Sequence, residues 1–130
     1  ADGTYFWKVR AVDGAGIGSD WSTSWAVRLD NTVPSAPVLV SPADGATTSG
    51  NPTLDWSDVT DASGVKYQVQ LDDNSDFSST LLDQPMLTVS QYTMAAGESL
   101  PAGTYYWRVR TVDGAGNASA WTSAWSFTVV

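Results

Sequence analysis

The chain has no cysteine and no histidine. Without cysteine there is no disulfide framework, no thiolate nucleophile and no thiolate metal ligand. Without histidine, no side chain has an ordinary pKa between 5 and 8 for acid–base work. Glu98 is the only glutamate, so no second one can pair with it. Positive charge is scarce too: six Lys/Arg stand against fourteen Asp/Glu in 130 residues, a net charge of −8. That argues against the basic face that nucleic acid requires, and equally disfavours electrostatic docking on anionic membranes. There is no apolar run of about 18 residues, so no membrane span is expected. Asp13-Gly14-Ala15-Gly16 lacks the spacing and the following helix of a dinucleotide site. The chain opens on Ala1-Asp2-Gly3, without Met or a secretory leader, and reads as the middle of a longer protein.

Aromatics are plentiful: seven Trp and five Tyr, with 42% of residues hydrophobic. This is enough for a packed core in a domain of ordinary size. The aromatics also recur. Residues 3–30 and 103–130 align without a gap and share 14 of 28 positions, among them Tyr5/Tyr105, Trp7/Trp107, Asp13/Asp113, Trp21/Trp121 and Trp25/Trp125. A period of about 100 residues implies whole domains in tandem rather than short solenoid units. The expected organisation is therefore the last two strands of a preceding repeat at 1–30, a linker at 31–36 with Pro34, and a complete repeat at 37–130. Two readings of residues 1–30 stand. The chain is a window on a longer tandem protein, or the hairpin completes a sheet in a neighbouring chain.

The complete repeat alternates like an all-β domain, with no amphipathic helix of ten residues or more. Expected strands begin at Pro37, at Thr53–Ser57 and at Val65–Leu71. They continue with a short edge strand at Thr80–Leu82, then Val89–Met94, the run from Tyr105, and a last strand carrying Trp125, Phe127 and Val129. Seven strands in about 98 residues suit an antiparallel β-sandwich.

Four segments carry a family likeness: Leu54-Asp55-Trp56-Ser57, Tyr67-Gln68-Val69-Gln70, Leu100-Pro101-Ala102-Gly103-Thr104-Tyr105 and Val112-Asp113-Gly114-Ala115-Gly116-Asn117. Together they resemble the fibronectin type III domain in its bacterial tandem form. The resemblance implies that Ig-like fold, with Trp56 and Tyr105 as core markers, and implies no chemistry.

Several constellations are candidate sites. Arg108 and Arg110 share an outer strand face, with Trp121 and Trp125 on the returning hairpin, and Lys8, Arg10, Trp21 and Trp25 repeat the pattern. This is similar to the Trp/Arg ladder of cytokine receptor domains. The Trp-x-x-x-Trp spacing is one residue longer, which also allows Trp125 to point inward. The ladder reads as a brace, with a sugar-stacking platform as its rival. Asp72, Asn74, Asp76 and Asp83 superficially resemble a calcium loop, but Phe77 stands where such a loop needs Gly. A turn with side-chain hydrogen bonds is the better reading. At the linker, Asp30 and Asn31 with Asp61 or Asp113 are the residues a calcium ion would use. Asn117-Ala118-Ser119 is a glycosylation sequon that is equally good turn chemistry.

No catalytic, cofactor-binding or metal residue is therefore assigned, and no cofactor is expected. The expected function is a non-enzymatic structural or adhesion module of an extracellular or cell-surface protein. It would be a spacer, stalk or fibre-forming unit whose partners are neighbouring repeats or copies of itself. The alternative is an accessory carbohydrate-binding module of a secreted glycan-active enzyme, with surface glycans as partners.

Overall fold

The computed structural model describes residues 1–130. The chain forms two compact units, Ala1–Thr32 and Val33–Val130.

The first unit is a hairpin of β1 (Gly3–Trp7) and β2 (Trp25–Leu29), paired antiparallel with Tyr5 opposite Val27 and Trp7 opposite Trp25. Asp13 closes its tip by accepting the amides of Ala15 and Ile17 at 2.9 Å, a short carboxylate serving as a local turn acceptor.

The second unit contains β3 (Leu39–Ser41), β4 (Ala46–Thr48), β5 (Thr53–Trp56), β6 (Val65–Asp72), β7 (Leu82–Leu87), β8 (Gln91–Thr93), β9 (Gly103–Asp113) and β10 (Trp125–Val129). They form a three-stranded sheet ordered β3-β5-β8 and a five-stranded sheet ordered β4-β10-β9-β6-β7. The core holds Leu39, Leu54, Trp56, Tyr67, Leu71, Trp107, Val109 and Phe127, with other buried apolar residues. Trp56 meets Tyr67 edge-on with centroids 5.7 Å apart, and Trp107 meets Trp125 edge-on at 6.3 Å. Such T-shaped pairs suit the ring quadrupole. The all-β sandwich expected from the strand alternation is what the chain adopts, in the fibronectin type III-like form that the resemblance implies.

Three details differ from the strand-by-strand reading. The first strand breaks at the turn before Gly45, and its second half, β4, crosses to the other sheet to pair parallel with β10. Ala46-Thr47-Thr48 carries too little apolar signal to announce a strand. The edge strand runs over Leu82–Leu87 rather than Thr80–Leu82, because Leu82, not Leu81, pairs with Leu71. Pro85 is tolerated there because an edge strand leaves an amide position unpaired. The strand expected at Val89–Met94 keeps its ladder only over Gln91–Thr93.

Candidate functional site: the arginine–aromatic ladder

Along β9, alternate residues leave the core, so Tyr106, Arg108 and Arg110 emerge on the outer face of the five-stranded sheet. The register places Arg108 opposite Gln70 and Arg110 opposite Gln68 on β6. Arg108 donates from Nε and Nη2 to Gln70 Oε1 at 3.0 and 2.8 Å, and Arg110 Nε donates to Gln68 Oε1 at 2.9 Å. Each glutamine then passes its amide nitrogen to the next strand. Gln68 Nε2 donates to Asp83 Oδ1 at 2.7 Å, and Gln70 Nε2 to Asp83 Oδ2 at 3.1 Å. One carboxylate on β7 thus orients both amides, and both amides orient the guanidiniums.

The opposite side of the guanidiniums is aromatic. Arg108 and Arg110 lie 4.4 and 4.7 Å from the Trp121 ring centroid, and Arg108 also lies 4.2 Å from that of Phe77. Phe77 adopts φ +53°, a left-handed conformation that bulky residues rarely take. Burial lowers the Arg108 pKa from its ordinary value, the neighbouring Arg110 charge adds to this, and Asp83 acts in the opposite sense. All the rungs are half-buried except the exposed Asp83. The arrangement offers stacking faces and charge-assisted hydrogen bonds.

The other singled-out residues divide clearly. Trp125 packs against the core instead of joining the ladder, since it shares the inner face with Phe127 and Val129. In the first unit, Lys8 and Arg10 lie 4.7 and 4.6 Å from the Trp21 centroid. Asp72 is buried and accepts the amides of Asp73 and Ser79, while Asp76 accepts that of Ser78. These are turn bonds, and Asp83 faces the ladder. Asp61 Oδ1 accepts the Ser63 amide and hydroxyl at 2.8 and 2.7 Å. Asp113 Oδ1 accepts the amides of Ala115 and Asn117, and its Oδ2 accepts Asn117 Nδ2 at 2.9 Å. The Asp113 carboxyl is raised by burial but held below its usual range on balance by these Asn117 and backbone donors. The amide nitrogen of the Asn117 sequon is thereby engaged. Asp30 Oδ1 accepts the Thr32 amide at 3.1 Å, and the Asn31 amide donates to Asp2.

Phe77, Gln68, Gln70 and Asp83 were not legible as ladder members. Gln-x-Gln on the outward face of β6 was the available clue, but only the register sets it opposite Arg108 and Arg110.

Residues 45–130 match the model of the Rha78A-like N-terminal immunoglobulin domain. The tip attachment protein J of Escherichia phage SECphi27 is 30% identical over 125 residues, which is 92% of this chain and 10% of that protein. The chain thus spans about a tenth of that relative's length. Among solved structures, the chicken CNTN1 FN1-FN3 domains align over 98% of this chain and 44% of theirs, with 12% identity and a TM-score of 0.56. A Streptomyces avermitilis α-L-rhamnosidase aligns over 75% of this chain and 10% of its own, at 20% identity and a TM-score of 0.46. The family match takes in the ladder, every strand of the second unit except β3 and more than half of the chain, and the chain belongs to the Rha78A-like N-terminal immunoglobulin domain family.

Proposed function

We propose that the chain is a non-catalytic module of an extracellular or cell-surface protein, acting as a spacer or adhesion unit within a longer repeat array. The observation that carries this reading is the closure of the ladder: each rung finds a partner within the sheet or on its flanking loops. A surface organised this way braces the sheet, and a rigid bead sets reach when modules follow one another. The phage relative, named for attachment at a tip, supports the adhesion side of the reading. Neighbouring repeats, or copies of the chain, are the partners it implies.

The second reading is glycan recognition, favoured by the half-buried Trp121 and Tyr106 on the same outer region. A glycan array probed with the chain separates the two. The spacer reading expects no retention. Retention that disappears in Trp121→Ala, with the fold intact by circular dichroism, would overturn it in favour of the glycan-binding module.

A further inference from the structure

Two hairpins of this chain have the same internal bonding and opposite surroundings. The pairs Tyr5–Val27 and Trp7–Trp25 repeat as Tyr105–Phe127 and Trp107–Trp125. Ser19 N donates to Ala11 O and Ser119 N to Thr111 O, each at 2.8 Å. Yet Trp107 is 0% exposed and Trp7 is 51% exposed, and Phe127 is 0% against 45% for Val27. Tyr5, Trp7, Val9, Trp25, Val27 and Leu29 therefore form one open apolar face. A groove of about 370 Å³ opens on it, lined by Trp7, Val9, Ser22, Thr23 and Trp25. A face of this kind on a folded hairpin marks an interaction surface.

Three further features say what covers it. First, β9 and β10 are flanked by β6 and β4, whereas both outer edges of the β1–β2 ribbon have no neighbouring strand. Unpaired edges of this kind template further strands. Second, the Lys8/Arg10/Trp21 stack is half a ladder. In the second unit the other half comes from Gln68, Gln70, Phe77 and Asp83, all of which precede the hairpin. Third, Gly114 has a reason to be glycine and Gly14 has none. A Cβ on Gly114 would lie 2.0 Å from the Ser63 carbonyl oxygen, but one on Gly14 meets nothing within 4 Å.

We propose that the open face of residues 3–29 is a docking surface for a half-sandwich of the kind residues 33–102 supply to residues 103–129, joined ahead of the hairpin. The occupant brings one strand to the free edge of β1, in the place of β6, and a parallel strand to β2, in the place of β4. It brings a Trp-bearing strand over Trp7 and Val27, polar acceptors to Lys8 and Arg10, and a loop carbonyl against Gly14. This deepens the repeat-module reading and rests on it only in treating the two hairpins as one building block.

The test compares residues 1–130 with the same chain carrying a second copy of residues 33–102 directly ahead of Gly3. Peptide-resolved hydrogen exchange is the readout. The extended chain is expected to protect the amides of Tyr5, Trp7 and Val9 about a hundredfold or more over the shorter chain, and to gain a second cooperative unfolding transition. Gly14→Ala is expected to be silent in the shorter chain and to abolish the new protection in the extended one, while Gly114→Ala disrupts the second unit in both. Unchanged exchange in residues 3–29 of an extended chain whose 103–129 region stays protected would overturn the docking proposal and leave the module reading standing. Concentration-dependent dimers of the shorter chain that protect residues 3–29 and are lost in Trp7→Ser would also overturn it, making a second copy the occupant.

Discussion

The Tyr105 hydroxyl donates to the Pro101 carbonyl at 2.8 Å, and the Tyr5 hydroxyl donates to the Ala1 carbonyl at the same distance. This tyrosine corner, a known feature of Ig-type sandwiches, ties the start of each hairpin to the backbone just before it. Tyr105 is buried and Tyr5 is not. Tyr105→Phe leaves the carbonyl without its donor and is expected to cost about 1–2 kcal/mol by urea unfolding. Tyr5→Phe exposes its carbonyl to water instead and is expected to change stability by less than about 0.5 kcal/mol.

The ladder predicts a measurable coupling between Trp121 and the arginines. Arg108→Ala and Arg110→Ala together are expected to lower the melting temperature. A double-mutant cycle between Arg110→Ala and Trp121→Ala should return a coupling of about 0.5–1 kcal/mol, the range for a half-exposed cation–π pair. An unchanged melting curve for the double arginine variant would remove the ladder as a brace. Asp83→Ala should weaken the same coupling, because it releases both glutamines that aim the guanidiniums.

Tyr92 and Glu98 predict losses of stability at both ends of the pH range. The Tyr92 hydroxyl donates to both Glu98 oxygens, at 2.7 and 2.9 Å. Burial first, then Glu98, pushes the Tyr92 pKa up to about 12. Its folded pKa is raised, so its contribution is complete below about pH 10 and is lost as pH rises towards 12. Glu98 is shifted the other way, held below the usual carboxylate range by the Ala95 amide and then by Tyr92. Its contribution is present above the unfolded pKa and is lost as pH falls through the lowered one. In Tyr92→Phe, chemical unfolding across pH should lose the alkaline fall and show a smaller acidic one.

Much of the fold was legible because alternation in a half-buried strand leaves a two-residue period that needs no tertiary information. Tyr105, Trp107 and Val109 against Tyr106, Arg108 and Arg110 is such a strand, and its faces fall where the alternation put them. Turn chemistry was equally local: Asp113 and Asp13 both close their hairpins with one carboxylate oxygen on two amides. Short polar strands resisted reading. Ala46–Thr48 joins a sheet by pairing with the edge of β10, and Phe77 meets Arg108 from a backbone at positive φ, neither of which a local pattern announces.

The sequence by itself determined the strand faces, the aromatic core and the duplicated hairpin, because each depends on residues close together in the chain or on direct comparison of two segments. The tertiary structure alone decided which side chains meet across strands: Gln68 with Arg110, Asp83 with both glutamines, Ser63 with Gly114. Those meetings depend on strand register and loop approach, and a one-residue slip in register would reverse every face without altering the local pattern that announces the strands.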